Sequence, residues 1–255
     1  MTADHAKSSQ AGSDRYSAPF PSPFSPNVAF CMGHVSEWGH GALHDQERAL
    51  LSPQATHKRV EQFTLGRTLA RQALGAFLPG QAPALCILRL ECGRAPAWPE
   101  GFVGSITHAG PWGAAAVARN QQYSGVGVDL ESVQPISQAF RRRLLRESER
   151  EGLADLEETM ALVVVFSAKE SVYKAIHPAG RIPLGFLDVE TAFQPLGAGR
   201  GEFSWRLISD GGTGFPPGFS GRGVYQWRPG LVLTGTWILA EGKSEGERST
   251  PAPNR

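Results

Sequence analysis

The stretch "GVGVDLES", Gly125 to Ser132, constrains the fold of this chain more than any other part of it. Small and β-branched residues bounded by glycine read as a buried strand, and the apolar run ends in Asp129 and Glu131. Side chains alternate across a strand, so both carboxylates share one face while Leu130 points to the other. Two like charges that close repel unless something positive sits between them. The fold must therefore bury this strand and also supply the positive partner.

The surroundings predict what buries it. Residues 57–78, "HKRVEQFTLGRTLARQALGAFL", carry Val60, Phe63, Ala70, Leu74 and Phe77 at helical spacing. "APALCILRL" reads as a strand, "ECGRAPAWPEGFVG" as a loop, and "GAAAVAR" as a strand of poor strand formers. A helical stretch runs from about Ile136 to Ile176, interrupted near Glu151–Gly152. Residues 184–195, 201–209, 223–229 and 231–240 alternate as strands of a second antiparallel sheet. The expectation is an α+β body of two halves. Its divisions are a Ser/Pro-rich arm without structure at 1–27, a first half at 28–122, a second half with the acids at 123–241, and a disordered tail at 242–255.

The helix "VVVFSAKESVYKAI" places Phe166, Glu170 and Lys174 on one face at four-residue steps. Such a Glu–Lys pair alone is also the pattern of a solvated ion pair. Taken with the strand, Asp129, Glu131 and Glu170 form an all-oxygen set suited to Mg²⁺, which keeps positions for water and phosphate oxygens. No Cys or His stands at zinc-ligand spacing near them. Spacing leaves open whether Glu170 reaches the same ion as the strand pair.

Anion chemistry recurs in the first half. Lys58, Arg59, Arg67 and Arg71 stand against Glu61, with Arg67 and Arg71 one turn apart. Arg94 lies in a Gly/Pro loop able to aim backbone N–H groups at an anion. "GSITHAGPWG" adds Ser105, Thr107 and His108 as further phosphate donors. The whole chain is nearly neutral, with 25 Lys plus Arg against 24 Asp plus Glu, which speaks against a general nucleic-acid binder. Three cysteines without pair spacing predict reduced thiols. The start lacks the order of a signal peptide and no apolar run suffices for a membrane span, so a cytoplasmic protein is expected.

"GSITH", "GVGVDLE" and "FSAKESVYKA", in this order and at these separations, resemble the marks of the 4′-phosphopantetheinyl transferases. The likeness is to the larger monomeric bacterial class, the enterobactin synthase component D type, and covers roughly residues 40 to 240. "FTLGRTLARQAL" and "RAPAWPEGFVGSITH" are similar to the same class. The resemblance implies a pseudo-twofold monomer of two similar halves, coenzyme A in the cleft between them, Mg²⁺ on the pyrophosphate and an apo-acyl or peptidyl carrier protein as second substrate. By motif, Asp129, Glu131 and Glu170 look like the metal-site acids, with Lys174 and Lys169 as the lysines of the KE-x-x-x-K helix. Thr107 and His108 match the phosphate-contacting pair, and Arg59, Arg67 and Arg94 are similar to basic residues that grip coenzyme A.

The implied reaction is that of a holo-acyl-carrier-protein synthase: a carrier serine attacks the β-phosphorus of coenzyme A and 3′,5′-ADP leaves. It needs charge neutralisation on the pyrophosphate and a base for a weak nucleophile. Glu170 is the candidate base, directly or through a metal-bound water, and Lys174 would stabilise the departing phosphate. A docking surface for the carrier is expected near "QAFRRRLLR", with Arg141, Arg142 and Arg143. Two other readings use the same residues: a Mg²⁺-dependent phosphohydrolase, and a non-catalytic module that binds coenzyme A or a carrier protein.

Overall fold

A computed structural model describes residues 18–39, 41–90, 95–176, 184–209 and 213–243. In chain order the elements are β1 (Ala29–His34), α1 (Val35–Trp38), α2 (Asp45–Arg48), α3 (His57–Gly75), β2 (Leu88–Arg89), β3 (Pro96–Ala97), β4 (Phe102–Ala109), β5 (Trp112–Arg119) and β6 (Tyr123–Ser132). They continue with α4 (Gln138–Leu144), α5 (Glu158–Ile176), β7 (Val189–Gly197), β8 (Arg200–Leu207), β9 (Ser220–Arg228) and β10 (Leu231–Leu239). Short 3₁₀ segments stand at Ala82–Ala84, Glu147–Leu153 and Phe186–Asp188.

The fold is α+β with two sheet-bearing lobes. In the first, the antiparallel sheet β1-β5-β4 carries α3 on one face. Thr56 starts α3 by accepting from the Arg59 N–H at 3.3 Å. Leu65, Leu69 and Leu74 then pack against Ala115 and Val117 of β5. The other face of β5, Ala114, Ala116 and Ala118, is also buried, against Val126, Val128 and Leu130 of β6. A strand covered on both sides reads as a continuous apolar run, and alanine lets a layer approach closely on each side. In the second lobe, β6-β10-β9-β8-β7 is antiparallel throughout, and α5 covers it through Val164, Ala168 and Val172 against Trp205, Tyr225 and Val232.

The glycines of β6 explain how α5 lies so near. A Cβ on Gly127 would stand 1.8 Å from the Ser171 carbonyl oxygen, and one on Gly125 would stand 2.1 Å from that of Ala175. Gly125 and Gly127 share a strand face with Asp129 and Glu131. The same alternation that removes side chains under the helix therefore projects the two acids toward its next turns.

Several expectations change at this level. "FVGSITHA" is the strand β4, and the loop expected there ends earlier. The long helical stretch splits into α4, a 3₁₀ turn and α5. Residues 18–27, expected without structure, are packed. Phe20 is buried, Arg228 Nε donates to Pro19 O at 2.6 Å, and Phe24 lies 6.1 Å from both Phe30 and Trp237, ring to ring. Phenylalanines at positions 20 and 24 give this proline-rich segment apolar surface to bury, which its composition as a whole concealed.

Candidate active site

The two sheets meet along β4 and β6 without a backbone ladder between them. Side-chain hydroxyls make the join. Ser105 Oγ accepts from the Val128 N–H at 2.6 Å, and Thr107 Oγ1 accepts from the Leu130 N–H at 3.0 Å. Thr107 then donates its own proton to Asp129 Oδ1 at 3.2 Å. Hydroxyls that looked like phosphate donors in the sequence thus stitch the lobes together.

Asp129 is buried at this seam. Lys174 Nζ donates to its Oδ1 at 2.5 Å and to Val128 O at 3.3 Å. Its Oδ2 is buried and has no hydrogen-bond partner among the described residues. Burial, then repulsion from Asp129, pushes the carboxyl of Glu131 up to about 7, with Lys174 opposing and Glu170 adding to the rise. Glu170 moves upward for the same leading reasons, burial and then Asp129. The structure thus gathers Asp129, Glu131, Glu170 and Lys174 into one electrostatic unit with more negative than positive charge. As the side chains stand, Lys174 neutralises Asp129, and among the described residues no group of three acidic, histidine or cysteine side chains could hold a metal ion.

Lys169 is placed elsewhere. It is the residue before Glu170, and one step along a helix turns the side chain through about 100°. Its ammonium is buried and spends its three protons on Leu144 O at 2.8 Å, the Glu149 carboxylate at 2.8 Å and Phe186 O at 2.9 Å. Glu149 accepts in addition from the N–H groups of Arg146 and Thr191 and from Thr191 Oγ1. The structure brings Lys169 neither to the acids nor to the cleft described next.

Beside the seam, a cleft of about 680 Å³ opens between α3 and β4. Arg59, Phe63 and Arg67 line it from α3, Arg89 from β2, and Ile106 and His108 from β4. Three guanidinium groups surround one ring: Arg67 lies 4.5 Å from the Phe63 centroid, Arg89 5.8 Å and Arg59 5.9 Å. The Nε of Arg67 is buried without a partner, and burial pulls that guanidinium down to about 10, still charged at neutral pH. Arg59 Nη1 stands 3.3 Å from His108 Nε2. A guanidinium can only donate, so Nε2 accepts and the imidazole is neutral. Burial and then Arg59 hold His108 below its ordinary value. The cleft is built to receive negative charge.

Alternation along β4 explains why Thr107 and His108 part company. Adjacent strand residues face opposite ways, so Thr107 turns to Asp129 while His108 turns to the cleft. Arg71 is likewise removed from the anion set: it pairs with buried Glu47 at 2.8 and 2.9 Å and donates to Ala42 O at 2.8 Å. Arg94 lies outside the described residues. Arg89 takes a place in the cleft that the sequence reading missed; its one signal was a charge inside the apolar run "CILRL".

Two family models match the chain, the 4′-phosphopantetheinyl transferase N-terminal domain over residues 46–118 and the 4′-phosphopantetheinyl transferase superfamily over residues 125–211. The 4′-phosphopantetheinyl transferase Npt of Nocardia iowensis is 31% identical over 209 residues, 78% of this chain and 85% of that protein. The chain belongs to the 4′-phosphopantetheinyl transferase superfamily. The transferase PptT of Mycobacterium tuberculosis is 34% identical over 173 residues, 66% of this chain and 73% of that protein. The transferase Svp of Streptomyces mobaraensis is 37% identical over 169 residues, 65% of this chain and 66% of that protein. The first model spans α3, β4 and most of β5, hence the cleft, and the second spans most of β6 and all of α5, hence the acids. Among the described residues no helix of this transferase-family chain is long and apolar enough to cross a membrane.

Proposed function

We propose that this chain moves the 4′-phosphopantetheine group of coenzyme A onto a serine of an apo-acyl or peptidyl carrier protein and releases 3′,5′-ADP. The observation that carries the reading is the adjacency of an arginine-lined cleft and a carboxylate cluster across one seam. In the cleft, Arg59, Arg67, Arg89 and His108 receive the phosphates of coenzyme A. Charge-assisted hydrogen bonds of this kind are the strong ones.

As they stand the three carboxylates do not close on an ion; with Lys174 withdrawn, their oxygen donors, the partnerless Asp129 oxygen and a mutual repulsion that a cation would relieve suit Mg²⁺. Asp129, Glu131 and Glu170 would hold it, and when bound it neutralises charge on the pyrophosphate. Lys174 leaves Asp129 to meet the departing phosphate, a short move for a side chain that is part-exposed at its present site. Glu170 is the base for the attacking serine, directly or through a bridging water. The serine Oγ–phosphorus bond forms as the pyrophosphate bridge breaks. Thr107 orients Asp129 from β4, and Lys169, with its three acceptors already in the protein, is left out of the ligand-binding set.

The test is transfer of label from coenzyme A to an apo-carrier protein with Mg²⁺, using the wild type and Asp129→Ala. The expectation is transfer by the wild type and at least a tenfold loss, ~1.4 kcal/mol, in the variant. A variant above about a tenth of the wild-type rate would remove the metal role from Asp129. Equal cleavage of coenzyme A with no carrier present would make the chain a phosphohydrolase.

A further inference from the structure

We propose that Glu47, a buried acid behind the arginine-lined cleft, is the positioning residue for Arg89: it anchors β2 so that this guanidinium reaches the phosphates of coenzyme A. The proposal rests on the transferase reading above. Glu47 is wholly buried, and both of its carboxylate oxygens are in use. Its Oε1 accepts from Arg71 Nη1 at 2.8 Å and from the Ile87 N–H at 2.9 Å. Its Oε2 accepts from the same Arg71 nitrogen at 2.9 Å and from the His44 N–H at 3.1 Å. One carboxylate thus ties together the entry to α2, the helix α3 and the run that leads into β2.

The walls of the cleft do not need this tie equally. α3 is held by its own core, Leu65, Leu69 and Leu74 against Ala115 and Val117. β4 is paired with β5 along its whole length. β2 is Leu88 and Arg89 alone, and among the described residues it pairs only with Pro96 and Ala97 of β3. The partner of Arg89 in that register is Pro96, which has no N–H to give. A two-stranded ribbon of this kind is marginal at best in water. Its direction is set just upstream, at Ile87. The Ile87 side chain is buried in the α3 core and its N–H goes to Glu47, so the backbone is held at two points. Leu88 O then accepts from Arg67 Nη2 at 3.4 Å, and the Arg89 guanidinium arrives 5.8 Å from the Phe63 centroid.

Neutralising Arg71 does not by itself account for this arrangement. Arg71 Nη2 donates to Ala42 O at 2.8 Å, which fixes the arginine, and the arginine in turn fixes the oxygen offered to Ile87. Glu149 in the second lobe has a matching set of partners: the Arg146 N–H, a cation from the long helix, and the N–H of Thr191 in β7. There the strand is nine residues long and paired with β8. Only in the first lobe does the tie hold a strand too short to place itself.

The test removes the acceptor without leaving a buried charge. In an Arg71→Met background, Glu47→Gln keeps an oxygen for the Ile87 N–H, and Glu47→Met, of similar length, does not. Replacing a buried ion pair by apolar side chains of similar volume is often neutral for stability, and thermal melting shows that each protein is folded at the assay temperature. Titration calorimetry with coenzyme A should give near wild-type affinity for Arg71→Met/Glu47→Gln. Arg71→Met/Glu47→Met should bind about five- to tenfold more weakly, approaching the effect of Arg89→Ala. Adding Arg89→Ala to both should abolish the difference, because a residue that acts through Arg89 then has nothing to act on. In transfer assays the difference should appear in KM for coenzyme A, with kcat at saturation unchanged. Glu47→Asp alone, which keeps the charge beside Arg71 but draws the oxygens back from Ile87 by one methylene, should also weaken coenzyme A, and gives a second reading if the double variants do not fold. Equal coenzyme A affinity with and without the acceptor overturns the proposal, whatever Tm does, and so does a difference that survives Arg89→Ala. Because binding is read separately, a wild type that binds coenzyme A but transfers nothing defeats the functional reading and leaves Glu47 in its role.

Discussion

Lys169→Met isolates what the buried ammonium beside Glu170 does. In the structure it satisfies two main-chain carbonyls and one carboxylate, all at 2.8–2.9 Å, with its side chain almost wholly buried. Removing one member of a buried pair usually costs ~3–5 kcal/mol, because the other charge is left uncompensated. Here Glu149 keeps three donors, Arg146 N, Thr191 N and Thr191 Oγ1, which argues for the lower end. The orphaned carbonyls of Leu144 and Phe186 add roughly 1 kcal/mol each. A total near 5 kcal/mol in a chain of this size lowers Tm by about 15 °C. Differential scanning fluorimetry gives that number, and titration calorimetry with coenzyme A gives the other half of the test at a temperature where the variant is folded. The expected pair of results is a large fall in Tm with unchanged coenzyme A affinity. Lys169→Met/Glu149→Gln should recover part of the loss, since no buried charge remains. An unchanged Tm together with tenfold weaker coenzyme A binding would refute the reasoning and return Lys169 to the ligand.

Gly127→Ala should cost about 3 kcal/mol, the upper range for overpacking, since the new methyl meets the Ser171 main chain. Activity should fall by more than tenfold as α5 carries Glu170 and Lys174 off Asp129, while coenzyme A binding in the α3 cleft persists; full transfer activity would show that α5 does not need this approach. Arg89→Ala should weaken coenzyme A by about tenfold, in line with ~1.5–3 kcal/mol for a charged hydrogen bond, with little change in Tm. Arg71→Ala should do the opposite, lowering Tm by uncovering buried Glu47, and the two variants measured side by side by calorimetry and thermal melting check the assignment.

Local patterns settle which face of an element a side chain occupies, because the period of a strand or helix is set by bond geometry alone. For that reason Asp129 and Glu131 were legible as one pair, Phe166, Glu170 and Lys174 as one stripe, and the α+β character from the alternation of helical and strand periods. What covers each face is a long-range matter, and there the sequence was silent. Arg67 and Arg71 stand one turn apart and look alike, yet Glu47, reaching across from α2, takes Arg71 and leaves Arg67 to the cleft. Lys169 and Lys174 belong to one motif, yet Glu149 from a 3₁₀ turn claims the first and Asp129 the second. Thr107 and His108 are neighbours that serve different sides of a seam, and that seam exists only because β4 and β6 meet through hydroxyls. The arm at 18–27 is the same case: its polar, proline-rich composition argued against order, and β1, β9 and β10 together offer it a place to be buried. Charge and period are properties of a residue and its near neighbours, whereas desolvation and pairing depend on whichever group the folded chain brings across the gap.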